Sequence, residues 1–232
     1  MEDSRKNNTT GLFNNISATY DFINRLMTFR MDRRWRKKTI NELRDISPKK
    51  ILDVATGTGD LAIAASKINP DQITGIDLAE KMLDIARQKA QKKGLSKIIS
   101  FQTGDAESIS FPDNSFDAVT IAFGIRNFVN LKKGFMEIYR VLKPGGIVSI
   151  LETSRPQKFL IKQLYTFYFK QLLPFLGKTI AKNKNAYQYF SDTVMAFPQG
   201  EELLKEFSSA GFIKCFYKTL SLGSVTIYVA IK

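Results

Sequence analysis

The 232-residue sequence contains no histidine and a single cysteine, Cys215. Without histidine the commonest general base is missing, Ser-His and Cys-His nucleophile systems cannot be assembled, and transition metals lose their main nitrogen ligand. One cysteine excludes an internal disulfide framework and any cysteine-based zinc cluster. No metal site is therefore expected, and acid–base chemistry falls to carboxylates, tyrosine, lysine or water. Acidic residues are also scarce: 22 Asp and Glu face 35 Lys and Arg, for a formal charge of +13. Such an excess points to an anionic partner, whether nucleic acid, a membrane surface or an acidic substrate. No run of about 18 uncharged apolar residues occurs, so no bilayer span is expected. The first ten residues are polar and lack the apolar stretch of a secretory signal. With the free thiol, this reads as a cytoplasmic enzyme with a basic surface.

What is present alternates. Residues 1–15 are polar and rich in Asn and Thr, and are expected to be loose. From Ile16 to Ile46 apolar residues recur at helical spacing, among them Tyr20, Ile23 and Met27, then Trp35, Ile40 and Leu43, before Ser47-Pro48 ends the pattern. The period then changes. Short apolar strands are predicted at Lys50–Ala55, Gln72–Asp77, Ile98–Thr103, Phe116–Ala122 and Ile147–Glu152, separated by helices ending near Lys67, Gly94 and Leu142. Strands alternating with helices imply an α/β fold with a parallel, doubly wound sheet. The last third departs from this, with helices predicted over Phe159–Leu176, Lys184–Val194 and Gly200–Ala210. Two adjacent strands then follow, Phe212–Leu220 and Ser224–Ile231, and pair as an antiparallel hairpin. The chain reads as one domain, with a helical extension (1–46), a cofactor-binding core (47–153), a helical substrate- or membrane-facing insertion (154–199) and a final helix and hairpin (200–232).

Three features fall in register at successive strand ends. Asp53-Val-Ala-Thr-Gly-Thr-Gly-Asp60 joins the first strand to its helix, and its glycines permit a tight turn and close approach of a ligand. Asp77 ends the second strand, where a carboxylate can accept two hydrogen bonds from a ribose diol. Gly104-Asp105-Ala106 ends the third, where an acidic side chain can meet an adenine amino group. Ala62, three positions after Gly59, is compatible with a nicotinamide dinucleotide, so the loop spacing leaves the choice among adenosine cofactors open.

Together with Leu142-Lys-Pro-Gly-Gly146, these elements resemble the class I S-adenosylmethionine-dependent methyltransferases. The resemblance implies a seven-stranded, mostly parallel sheet with a reversed final hairpin, and S-adenosyl-L-methionine as cofactor. It places Gly57, Thr58 and Gly59 behind the methionine part, Asp77 on the ribose and Asp105 with Ala106 near adenine. Asp53 belongs to the same loop, and Ala122 stands where relatives carry a serine beside the cofactor.

A narrower likeness runs from about residue 13 to the end. Ser17-Ala-Thr-Tyr-Asp-Phe-Ile-Asn24, Arg33-Arg-Trp35, Phe111-Pro-Asp-Asn-Ser-Phe-Asp117, Phe123-Gly-Ile-Arg-Asn127 and Ala210-Gly-Phe212 resemble the menaquinone/ubiquinone biosynthesis C-methyltransferases. That family methylates a ring carbon of a polyprenylated quinol, which implies a lipophilic quinol partner, most simply demethylmenaquinol, with the ubiquinone-pathway benzoquinol as alternative. Thr19, Asp32 and Tyr228 depart from its usual Lys, His and His, which implies that those histidines are not the essential base. A quinol carbon becomes nucleophilic when a neighbouring hydroxyl ionises; for a tyrosine-like pKa of ~10 this costs about 4 kcal/mol at neutral pH. Tyr20, Asp21, Asn24, Asp32, Arg126 and Asn127 are the polar residues expected around the ring, with Arg126 stabilising the developing phenolate.

The basic charge is uneven. Arg30, Arg33, Arg34, Arg36, Lys37 and Lys38 cluster near the start, and no acidic residue occurs between Glu152 and Asp192. The predicted helix over 159–176 is aromatic on much of its surface with a lysine stripe. That pattern suits either peripheral contact with an anionic membrane, on the inner face of the cytoplasmic membrane, or a solvated helix covering the sheet. A second copy in a homodimer is a further partner to consider. An RNA methyltransferase is the rival, because the same charge could hold phosphates. Against it, the fourth strand ends in Ala122-Phe-Gly-Ile-Arg-Asn127 rather than Asp/Asn-Pro-Pro-aromatic, and Cys215 is too far along the chain to attack a base held at the cofactor edge. No nucleic-acid partner is expected.

Overall fold

The structure, a computed structural model, describes residues 2–167 and 184–232. The alternating apolar segments become β1 (Lys50–Val54), β2 (Gln72–Asp77), β3 (Ile99–Thr103), β4 (Phe116–Ala122) and β5 (Leu142–Thr153), with β6 (Ile213–Leu220) and β7 (Val225–Ile231) at the end. They form one seven-stranded sheet in the order β3-β2-β1-β4-β5-β7-β6. The first five strands are parallel, and β7 runs antiparallel between β5 and β6. This is the expected mostly parallel sheet with a reversed hairpin. The Lys143-Pro-Gly-Gly146 run, read as a helix stop ahead of a strand, already belongs to β5, whose register against β4 is broken between Phe116 and Ala118.

Because side chains alternate across a strand, Ile51 and Leu52 enter opposite faces of the sheet. On Leu52's face pack α5 (Leu131–Val141) and α8 (Glu201–Ser209), through Phe135, Ile138, Leu203 and Phe207. On Ile51's face lie α2 (Asp32–Asn41), α3 (Asp60–Ala65) and α4 (Glu80–Lys92), through Trp35, Leu61 and Leu83. The strand order reverses at β1, whose neighbours are β2 and β4. That opens a crevice at the carboxyl ends of these strands, where α/β sheets bind ligands.

Residues 2–15 differ from what is expected of the 1–15 stretch. They are not loose: α1 runs unbroken over Glu2–Met27. Their polar composition supplies little intrinsic reason to fold, but tertiary contacts override propensity. Leu12 and Ile16 pack against Ile23 and Val194, and Lys6 reaches Asp105 at 2.7 Å and Glu107 at 3.0 Å. The helix therefore lies across the crevice. Of the long helix expected over Phe159–Leu176, α6 covers Phe159–Phe167, and the remainder lies outside the described residues; α7 spans Lys184–Ala196. Among the described residues no helix is long and apolar enough to cross a membrane.

Candidate active site

After β1 the chain turns through three left-handed residues, Ala55, Gly57 and Gly59, before α3 starts. Gly59 meets two requirements at once. Its φ is +78°, and a Cβ there would sit 2.9 Å from both Ala86 and the Phe101 ring. Asp77 pins this loop: its Oδ2 accepts from the Gly57 amide at 2.8 Å and its Oδ1 from the Ala79 amide at 2.9 Å. Burial raises its pKa above the ordinary aspartate value, although the amides pull the other way. Each carboxylate oxygen keeps a lone pair for a further donor.

Asp77 lines a cavity together with Gly57, Leu78, Met82, Ala106 and Phe128. Asp105 and Ala122 line it too, as does Gly104, at which a Cβ would come within 3.1 Å of Ile76. Apolar side chains such as Leu78, Met82 and Phe128 together with the Asp77 and Asp105 carboxylates, which accept hydrogen bonds from hydroxyl and amino groups, make a lining that fits an adenosine cofactor. The Asp105 carboxylate is held by Lys6 of α1.

Three residues expected at the cofactor do not line this cavity. Asp53 is wholly buried beneath the loop, accepting hydrogen bonds from Thr56 Oγ1 at 2.5 Å and Thr120 Oγ1 at 2.6 Å. Desolvation pushes its pKa up to about 6 against those bonds. The Thr58 hydroxyl donates to Asp21 Oδ1 at 2.6 Å, and Gly59 faces α4 and Phe101. Their positions are those of supports that shape the turn from behind.

A second cavity of about 380 Å³ adjoins the first, and Phe13, Tyr20 and Phe123 line both. Tyr20, Asn24, Asp32 and Arg126 come together here as expected, joined by Trp35 and Arg36. Two buried ion pairs are built into its surroundings. Asp32 holds Arg36 one helical turn away, and Arg126 Nη1 donates to Glu152 Oε1 at 2.7 Å with the two side chains 5% and 1% exposed. Arg126 Nη1 also donates to the Phe123 carbonyl at 2.5 Å, and the guanidinium lies 4.8 Å from the centre of the Phe190 ring. Glu152 Oε1 further accepts from the amide and hydroxyl of Thr153. Burial raises the Tyr20 phenol above its usual pKa, opposed by the Arg126 charge. Tyr20 is therefore a neutral hydrogen-bonding group near pH 7.

Two residues expected around the ring lie outside the second cavity. Asp21 follows Tyr20 by about 100° around the helix and points the other way, to Thr58, to Lys89 at 2.9 Å and to Arg25 at 3.8 Å. Asn127 lines the cofactor cavity instead and accepts from the Tyr189 hydroxyl at 3.0 Å. Tyr228 is buried in the sheet with its hydroxyl accepting from the Gly200 amide. Lys6, Arg36, Phe123 and Glu152 were not singled out as site residues. Glu152 had a signal, an acid closing the apolar run Ile147-Val-Ser-Ile-Leu151; Lys6 had none.

A parallel sheet that reverses at β1 and closes on an antiparallel pair, with an adenosine-compatible slot at its carboxyl edge, defines the class I methyltransferase fold. Solved structures agree on that fold. An S-adenosylmethionine-dependent methyltransferase of Thermotoga maritima superposes with a TM-score of 0.63 at 20% identity, over 94% of this chain and 98% of its own. A phosphoethanolamine N-methyltransferase of Haemonchus contortus, solved with S-adenosyl-L-methionine, gives 0.57 at 19% identity, over 79% of this chain and 48% of its own.

The chain belongs to the ubiE/COQ5 methyltransferase family, whose family model matches residues 1–232. A demethylmenaquinone methyltransferase of Bacteroides fragilis is 47% identical over 95% of this chain and 91% of its own length. Another of that name, from Thermus thermophilus, is 44% identical over 94% and 98%. A ubiquinone/menaquinone biosynthesis C-methyltransferase of Geotalea daltonii is 41% identical over 95% and 94%.

Proposed function

We propose that the protein transfers a methyl group from S-adenosyl-L-methionine to a ring carbon of a polyprenylated quinol, converting demethylmenaquinol to menaquinol. The observation that carries this reading is the pair of adjoining cavities, one with carboxylates suited to an adenosine and one apolar with buried arginines, separated only by Phe13, Tyr20 and Phe123. A flat aromatic ring in the second cavity can be held against the reactive end of the first at the 3–3.5 Å that transfer requires. When bound, the cofactor supplies a methyl on a sulfonium, already activated for attack by carbon.

The residues of the chain make the ring carbon nucleophilic and hold it. Arg126 donates to a ring hydroxyl as that hydroxyl gives its proton to water; an opposing charge within about 4–6 Å lowers such a pKa by about 1–3 units, much of the gap between ~10 and neutral pH. The methyl passes from the sulfonium to the ring carbon, leaving S-adenosylhomocysteine, and that carbon then loses its own proton to water to restore the aromatic quinol. Tyr20, neutral through its raised pKa, donates to or accepts from the same oxygen and does not act as base. Asp32, set against Arg36, and Asn24 orient the ring from α1 and α2. Asp77 binds the ribose hydroxyls, while Gly57, Ala106 and Ala122 bound the slot. Thr58, Gly59, Asp53 and Asp21 hold the loop, and Asn127 reaches the cofactor side. The quinol's isoprenoid tail leads out of the second cavity toward a peripheral contact with an anionic membrane, with the enzyme on the cytoplasmic side.

A methyl-transfer assay with labelled cofactor tests this, offering reduced demethylmenaquinone in detergent, the demethylated ubiquinone precursor and bulk RNA. Label in the naphthoquinol alone is expected. Label in the benzoquinol alone moves the enzyme to the ubiquinone pathway, and label in RNA overturns the quinol reading.

A further inference from the structure

Two turns frame the mouth of the 380 Å³ cavity, and both hold a large apolar side chain outward. Between α1 and α2, Phe29 and Arg30 sit in the left-handed region, with φ of 49° and 61°, and Phe29 is 78% exposed. Between β6 and β7, Ser221 and Leu222 do the same, with φ of 48° and 59°, and Leu222 is 71% exposed. Left-handed backbone is unfavourable for residues with side chains and persists where the surroundings impose it. Here Trp35 Nε1, in the first turn of α2, donates to Ser221 Oγ at 2.9 Å and ties the β6–β7 turn to the helix that follows Phe29 and Arg30. Phe29, Met31 and Leu222 all line the cavity, so the exposed rim is continuous with its interior.

The apolar surface extends beyond the rim. Phe22 and Leu26, four residues apart on one face of α1, are 64% and 46% exposed. A soluble surface seldom gathers this much exposed apolar area without a partner. The charge around it has one sign. Arg30, Arg33, Arg34, Lys37 and Lys38 are exposed, and the only acidic residue between Phe22 and Asn41 is Asp32, which is buried against Arg36. Among the described residues none of these five cations has an ion-pair partner within 4 Å.

We propose that this rim is a membrane-docking surface: Phe22, Leu26, Phe29 and Leu222 enter the interface of an anionic bilayer, with Arg30, Arg33, Arg34 and Lys37 on the headgroups. The cavity mouth then opens directly onto the acyl region. This rests on the reading of the cavity as the quinol site, but places the contact at the α1–α2 and β6–β7 turns rather than on the helix expected over 159–176. Apolar side chains ringed by cations are what an interfacial surface needs, since acyl burial and headgroup attraction add. A protein partner would demand shape complementarity, whereas a bilayer accepts side chains splayed from separate turns.

The test is flotation of the full chain with vesicles of phosphatidylglycerol and phosphatidylcholine that contain no quinol, so the outcome does not depend on which ring is methylated. The proposal expects binding that weakens as salt rises or as phosphatidylglycerol is left out. Phe29→Ser with Leu222→Ser should lower vesicle partitioning tenfold or more. Arg33→Gln with Arg34→Gln should lower it about thirtyfold at low salt, from roughly a factor of five per cation. Met136→Ser, which removes an exposed apolar residue on α5, should bind as the wild type. Thermal melts of each variant confirm that it is folded. Wild-type binding by the Phe29/Leu222 variant, or an equal loss in Met136→Ser, overturns the proposal. So does a dimer in ultracentrifugation that Phe29→Ser dissociates while vesicle binding stays unchanged, which would make the rim a contact between copies.

Discussion

Removing either partner of the Arg126–Glu152 pair should cost far more stability than removing both. The pair is 5% and 1% exposed and its Nη1–Oε1 distance is 2.7 Å. Glu152→Gln keeps an oxygen for Arg126 and Thr153 but strands a buried guanidinium without a countercharge. Breaking a buried pair from one side costs about 3–5 kcal/mol, which for a chain of this size is a fall in Tm of about 6–20 °C. Arg126→Met strands Glu152 instead. That leaves a buried carboxylate without its cation and should cost a similar amount. The double variant buries no net charge and should lie within about 2 kcal/mol of wild type, leaving a coupling energy of at least about 3 kcal/mol. Urea melts of all four proteins measure it.

Methyl transfer separates what the pair is for. If Arg126 lowers a ring hydroxyl's pKa by about 1–3 units, the folded double variant should lose about 10- to 1000-fold in turnover at saturating quinol. Additive single effects would refute the electrostatic argument, and full turnover by the double variant would remove Arg126 from the chemistry.

Asp53, with its pKa raised to about 6, holds a proton in the folded state that the unfolded chain releases near pH 4; its contribution to stability therefore falls by about 3 kcal/mol as pH rises from 4 to 6, and Asp53→Asn should flatten that part of a stability–pH profile. Gly59→Ala forces a left-handed alanine whose methyl lies 2.9 Å from Ala86 and Phe101, and should destabilise by about 2–4 kcal/mol in a thermal or urea melt, with weaker cofactor binding. Asp77→Ala removes both the ribose acceptor and the anchor of the Gly57 amide; calorimetry with S-adenosylhomocysteine should show a loss of about tenfold or more, from charge-assisted bonds worth about 1.5–3 kcal/mol. An unchanged Kd would take Asp77 out of the cofactor site.

The sheet was legible because its signals are local. Apolar runs such as Ile51-Leu-Asp-Val54 stop at glycine turns, and the ends at Asp77 and Gly104 fall one strand apart in register. Gly57, Asp77, Ala106, Arg126 and Tyr20 followed from those turns and from family-like motifs. The misplacements share one cause. Asp21 and Tyr20 are neighbours in sequence but diverge on a helix, and only the position of α4, with Lys89, decides which of them faces inward. Likewise Asp53 at the end of β1 and Thr58 in the loop after it do not line the cavity beside Asp77. The polar stretch 2–15 folds as helix because Asp105 and Glu107, about a hundred residues away, pair with Lys6, and Val194 packs with Leu12 and Ile16.

The placement of β7 bears on how the chain is made. β5 is complete at Thr153, yet its outer edge has no partner until residues 225–231 exist, because β7 rather than β6 lies beside it. A chain emerging from the ribosome therefore spends the synthesis of α6, α7, α8 and β6 with a five-stranded sheet open along Val148–Leu151, an apolar edge of the kind that pairs with other chains. β6 cannot relieve this when it appears, since its own contact is with β7. The sheet closes in one late step, when the second strand of the hairpin slots between two strands already made, and until then the nascent protein depends on being kept apart from its copies.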